Sequence, residues 1–202
     1  MELTQISPYK NQYVSGYMLN SGFSQASQNI VADLNHQLLD KFSEVISPQP
    51  KEALHVTLMD WVAPLVDYEQ GHDNLFQQVF PEYDRTLTAI TNDLRAFAVQ
   101  FDTIKVSPAA IYIEGHDNGQ FSKVRETFLQ NATLPPGTKQ PPAIVHCTIA
   151  RFNDRIAIES IHQFVSTLTI DINQSIDGFR LVHETHMPML EYEIIKTYQL
   201  TK

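Results

Sequence analysis

The chain has 202 residues, enough for one compact domain with a sizeable core, and its 43% apolar and 18% charged residues are ordinary globular composition. A net charge of −9 without any Lys/Arg block excludes a long nucleic-acid duplex as partner, because duplex binding rests on neutralising many phosphates. No apolar run is long enough to span a membrane, Met1-Glu2-Leu3-Thr4 lacks the basic and apolar blocks of a signal peptide, and one cysteine makes no internal disulfide, so a reducing cytoplasm is the expected location.

Residues 13–19 (YVSGYML) read as a strand, and 28–42 as a helix with Ile30, Leu34, Leu38 and Phe42 at four-residue spacing. Segment 47–51 (SPQPK) breaks the chain, and 54–61 (LHVTLMDW) form a second strand. The polar stretch 62–82, with Pro64 and Pro81, reads as a long loop. Leu87, Ile90, Leu94 and Phe97 then mark a helix, and 99–106 a strand. Residues 110–114 (AIYIE) begin a second round with a strand, followed by a helix at 120–130 with Phe121, Val124 and Phe128 on one side. A loop rich in proline (Pro135, Pro136, Pro141, Pro142) leads to a strand at 143–152 (AIVHCTIARF). Ile158, Ile161, Val165 and Leu168 mark a further helix, and 178–200 reads as two strands around Met187-Pro188.

Each half therefore holds strand, helix, strand, and the second strand of each carries one pattern. In the first half it is Leu54-His55-Val56-Thr57-Leu58; in the second it is Val145-His146-Cys147-Thr148-Ile149. A duplicated α+β unit follows from this repetition. The expected fold is a single bilobal domain over 1–202, with two pseudo-symmetric lobes, each an antiparallel sheet with helices on its outer face, and a central cleft between the sheets.

Side chains alternate along a strand, so His and Thr two apart share one face, roughly 6.6 Å apart. The residues flanking them are apolar and belong under helices, which leaves His55, Thr57, His146 and Thr148 for the open face. A pseudo-twofold axis would set the two pairs facing each other. Two imidazoles so placed suit phosphodiester cleavage: one takes a proton from the attacking oxygen while the other gives one to the leaving oxygen, and both titrate near neutrality. Threonine hydroxyls can donate to the non-bridging oxygens as charge gathers there. No metal or cofactor is required. With eight histidines, a bare His-x-Thr arises by chance roughly once in such a chain. A third copy, His183-Glu184-Thr185 followed by His186, serves as that control: it lacks the apolar flank and reads as an exposed strand end or hairpin tip.

On these two His-x-Thr strands, and on the closing tail from Tyr192-Glu193-Ile194-Ile195 through Leu200, the chain resembles the two-histidine (2H) phosphoesterase superfamily, which includes bacterial RNA 2′,5′-ligases and cyclic nucleotide phosphodiesterases. The resemblance covers most of the chain. It implies His55 and His146 as the acid/base pair, Thr57 and Thr148 as phosphate ligands, and a 2′-linked substrate such as a 2′,3′-cyclic phosphate or a 2′,5′-linked nucleotide. A small nucleotide or an RNA end is the implied partner. A non-catalytic nucleotide-binding module with the same fold is the alternative, and a metal-dependent hydrolase is opposed by the absence of a ligand cluster at firm spacing.

Other residues carry weaker expectations. Arg151 follows the second motif, but strict alternation puts it opposite Thr148, so it reaches substrate only where the strand ends or bulges. Trp61 and Phe152, six past their histidines, fall on the histidine face by the same count and are expected to pack in the core. Tyr17 and Tyr112 could line the cleft. Lys123, Arg125 and Lys139 could supply local charge, with solvated surface as the default. Gly71-His72-Asp73-Asn74 and Gly115-His116-Asp117-Asn118 read as turns, and Cys147 as buried and unreactive.

Overall fold

The structure, a computed structural model, describes residues 2–7 and 11–202. The elements in chain order are β1 (Gln12–Gly22), α1 (Gln25–Phe42), β2 (Ile46–Pro48), β3 (His55–Val62), α2 (His72–Asn92), β4 (Phe97–Val106), β5 (Ala110–His116), α3 (Gln120–Asn131), β6 (Val145–Phe152), α4 (Ile158–Val165), β7 (Ile172–Ile176), β8 (Gly178–Met187) and β9 (Glu191–Gln199). No helix among the described residues is long and apolar enough to cross a membrane.

Two antiparallel sheets result, one ordered β3-β1-β8-β9 and the other β2-β6-β5-β4-β7. The α+β architecture, with helices outside the sheets and a cleft between them, is the one the sequence pattern predicts. The sheets do not follow the halves of the chain, however. The tail strands β8 and β9 complete the sheet of β1 and β3, and the short β2 crosses to the edge of the other sheet, beside β6. The helices are exchanged too: α1 packs on β2, β6 and β7, whereas α3 packs with α2 against β3. β3 and β6, one from each sheet, lie next to each other across the cleft.

Several elements differ from the sequence expectation. The stretch 62–82 is only in part a loop, because α2 starts at His72 and runs through Pro81. Leu75, Val79, Tyr83 and Leu87 make a continuous four-residue stripe, and burying it outweighs the hydrogen bond that Pro81 cannot donate. The helix ends at Asn92, so Leu94 and Phe97 lie beyond it, the latter opening β4. α1 starts earlier than expected, where the Ser24 hydroxyl accepts from the Ser27 amide at 3.2 Å, an N-cap. Its buried stripe is Val31, Leu34, Asn35 and Leu38, while Ile30 is exposed. β2 and β7 were not legible: β2 has three residues, one of them Pro48, tolerated because the strand lies at an edge.

Candidate active site

The two His-Thr strands share a local irregularity that sets the composition of the cleft. In β3, Thr57 pairs with Asn20 and Met59 with Leu19, so Leu58 is an extra residue; in β6, Thr148 pairs with Tyr112 and Ala150 with Ile111, so Ile149 is extra. Each is a β-bulge one residue after the threonine. Leu58 and Met59 are consequently both buried, as are Ile149 and Ala150, and the alternation flips beyond them. Asp60 and Arg151, five past their histidines, turn into the cleft. Trp61 and Phe152 turn away from it and are fully buried, Trp61 among Phe80, Tyr83, Phe128 and Tyr198. Strict alternation thus gave Trp61 and Phe152 the wrong face, although core packing is their role.

His55, Thr57, His146, Thr148, Asp60 and Arg151 line one cavity of about 470 Å³. The loop residues Leu65, Val66 and Lys139, with Met18, Glu184 and the Met187-Pro188-Met189 corner, close its sides. Two loops meet over it: the Tyr68 hydroxyl accepts from the Ala63 amide at 3.1 Å and hydrogen-bonds Thr138 Oγ1 at 2.7 Å.

His55 Nδ1 lies 2.7 Å from the Ala53 carbonyl oxygen. A carbonyl only accepts, so Nδ1 carries the proton, and in the neutral ring Nε2 holds the lone pair. Burial pushes the His55 pKa down to about 4; the Ala53 bond opposes this, while the charges of Arg180 and Arg151 add to it. Arg180 is held by Asn20 Oδ1, to which it donates from Nε at 3.0 Å and Nη2 at 2.9 Å. Its guanidinium lies over Gly22, the register partner of His55, where a Cβ would come within 2.6 Å of it. His146 repeats the arrangement more loosely. The Ile144 carbonyl, again two residues upstream, favours the charged ring, but Nδ1 makes no bond of normal geometry, and burial dominates and lowers the pKa. The Tyr112 ring meets the His146 ring edge-on at 5.5 Å. Among the described residues the Thr57 hydroxyl has only a weak contact, 3.7 Å to Met18 Sδ, which leaves it available to a ligand.

Two carboxylates share the cavity. Burial raises the pKa of Asp60 to about 6, against the nearby charge of Lys139. Burial likewise raises that of Glu184 to about 7, helped by Asp60 and opposed by the Met189 amide, which donates to it at 2.5 Å, and by Arg151. Sequence reasoning missed Asp60, Glu184 and Arg180. Glu184 was assigned to an exposed strand end; it is 4% exposed, in a strand paired on both sides by β1 and β9.

The remaining candidates fall elsewhere. Tyr17 does not line the cleft: it lies on the helix side of β1, stacked between Phe76 and His183, and donates to Asp73 at 2.9 Å. Its neighbour Met18 takes the cleft position. Tyr112 supports the His146 ring and is not part of the cavity wall. Lys123 is exposed, and Lys139 lines the cavity. Arg125 is not solvated surface. It is buried over the Phe121 ring and donates to the carbonyls of Thr57 at 2.7 Å, Leu58 at 3.0 Å and Ile144 at 3.4 Å. The first GHDN segment opens α2, with Gly71 as its N-cap, whereas the second ends β5 at Gly115-His116 and turns toward α3, with Asp117 accepting from the amides of Gly119 and Phe121. Cys147 is fully buried, its thiol pKa pushed up to about 12 by burial. Among the described residues no three His, Cys, Asp or Glu are grouped to hold a metal ion.

This two-sheet fold is shared with solved structures. A protein of Thermus thermophilus aligns with a TM-score of 0.65 at 13% identity, over 92% of this chain and 97% of that one. E. coli LigT in its apo form aligns at 0.64 and 11% identity, over 95% and 100%. The MHV ns2 PDE domain aligns at 0.53 and 14% identity, over 84% and 99%. Likeness at such identities shows the fold. Residues 23–186 match the 2′-5′ RNA ligase superfamily, and the chain belongs to it. No curated protein sequence matches the chain.

Proposed function

We propose that the chain is a metal-independent phosphodiesterase that cleaves a 2′-linked phosphodiester, a 2′,3′-cyclic phosphate or a 2′,5′-linked nucleotide. His55 and His146 are its acid/base pair, and Thr57 and Thr148 bind the phosphate. One observation carries this reading: two imidazoles and two hydroxyls open into the same cavity, with the His55 tautomer held by the Ala53 carbonyl. One ring takes the proton of the attacking oxygen, a water or a neighbouring ribose hydroxyl, as the new P–O bond forms. The other ring protonates the oxygen whose bond to phosphorus breaks. The threonines donate to the non-bridging oxygens, and Arg151 adds positive charge at the same wall. Membership of the superfamily supports this chemistry. LigT has been crystallised with phosphate, 3′-AMP, ATP and NADP+, which supports a small nucleotide as the ligand here.

The test is turnover of 2′,3′-cyclic nucleotides and 2′,5′-linked dinucleotides in excess EDTA. His55→Ala and His146→Ala should each lower kcat by about 10²–10⁴ with the fold retained, and Thr57→Val and Thr148→Val by less. Near-normal turnover in either histidine variant sinks the assignment, as does activity that appears only on adding a divalent metal. Binding without turnover identifies a nucleotide-binding module instead.

A further inference from the structure

The mirrored bulges place unlike groups at equivalent positions of the two strands, Arg151 on one and Asp60 on the other. A phosphate site gains from the arginine, but a carboxylate repels phosphate, so Asp60 answers to another part of the ligand. Among the described residues nothing hydrogen-bonds or ion-pairs with the Asp60 carboxylate, and Glu184 uses one oxygen on the Met189 amide. Both side chains line the same cavity as the His-Thr pairs. Asp60 is three residues beyond Thr57, at most about 10 Å along the strand, a span comparable to that from a nucleoside's sugar phosphate to the far edge of its base. Apolar side chains, Met18, Met189, Leu65 and Val66, line the cavity with them and offer surfaces for a flat ring.

We propose that Asp60 and Glu184 form a base-reading subsite that accepts hydrogen bonds from an exocyclic amino group, so that the cleft prefers amino-bearing nucleotides to their carbonyl- or hydrogen-bearing counterparts. This inference rests on the phosphodiesterase reading. In its ionised form each acid only accepts, so it pairs with an amino group, as Asp or Glu does with the cytosine amine, and repels the uracil carbonyl at the same position, whereas a protonated acid could donate to that carbonyl. Burial raises both pKa values, that of Asp60 to about 6 and that of Glu184 to about 7, so both acids are ionised above neutrality, the form that an amino donor stabilises.

The experiment, run at about pH 8 where both acids are ionised, compares substrates matched in pairs: cytidine against uridine 2′,3′-cyclic phosphate, and guanosine against inosine 2′,3′-cyclic phosphate. The second pair differs only in an amino group. In at least one pair the amino-bearing ester should be preferred in kcat/KM by about tenfold or more. Asp60→Asn or Glu184→Gln, both near-isosteric and checked for fold by circular dichroism and thermal midpoint, should bring that ratio to within about threefold, mostly through KM. Ratios near one in both pairs for the native protein overturn the subsite, and so does a preference that survives both substitutions. Calorimetric affinities for 2′-CMP against 2′-UMP and 2′-GMP against 2′-IMP read the subsite without catalysis. Affinities that do not favour the amino-bearing member of either pair overturn it whatever the turnover, while affinities that favour it with no turnover uphold the subsite and overturn the phosphodiesterase reading alone.

Discussion

Replacing Arg125 by methionine should both destabilise the protein and slow it. Arg125 is 4% exposed, and its guanidinium donates to three backbone carbonyls: those of Thr57 and Leu58, at the bulge of β3, and that of Ile144, just before β6. It therefore ties together the backs of the two His-Thr strands. Methionine keeps much of the stem volume but no donor. Each buried carbonyl left without a partner costs about 1–3 kcal/mol, and the two short bonds, at 2.7 and 3.0 Å, dominate. Release of a buried charge, whose pKa burial lowers to about 10, offsets part of this loss. The net expectation is about 3 kcal/mol, which in a domain of this size lowers Tm by roughly 6–12 °C. Urea unfolding with linear extrapolation gives the free energy. Assayed well below Tm, kcat should also fall, because Thr57 and the His146 strand lose their common anchor, and Arg125→Lys should recover part of both. A loss under about 1 kcal/mol with unchanged kcat would refute the view that this side chain holds the two motifs in place.

The pH dependence should be displaced toward acid. Because burial lowers both histidines, His55 to about 4 and His146 below its ordinary value, kcat/KM should trace a bell with its maximum between about 4 and 6.5, whichever ring is the base; a profile still rising at pH 9 would contradict the assignment. Glu184 has the opposite consequence for stability. With its pKa raised to about 7, the folded state keeps a proton that the unfolded state releases above about 4.5, so the native protein loses stability as pH rises from about 4.5 to 7. Glu184→Gln should remove that loss, gaining nothing near pH 4 and at most about 3 kcal/mol at pH 8. Equal differences between the two proteins at pH 4 and pH 8 would show that Glu184 is not held in the neutral form.

The sequence by itself determined what depends on neighbours two to four residues away. Apolar-His-apolar-Thr-apolar is a strand pattern with two faces, so the common facing of His55 with Thr57 and of His146 with Thr148 could be read from residues alone. The stripe of α3 was legible for the same reason, and that of α1 in part, at Leu34 and Leu38 but not at Val31. The stripe of α2, at Leu75, Val79, Tyr83 and Leu87, was present too, but the polar residues around it and Pro81 concealed it. Tertiary structure decided everything that depends on a partner strand. A bulge exists only relative to the strand it fails to match, so counting by twos along β3 and β6 put Arg151 on the wrong face, hid Asp60 and misplaced Trp61 and Phe152. The sheet membership of β8 turned Glu184 from a presumed surface residue into a wall of the cavity. Arg125 looks like any helix-surface cation in sequence, and it is buried because two carbonyls beside a bulge, and a third from another strand's approach, converge where only its fork of donors reaches all three.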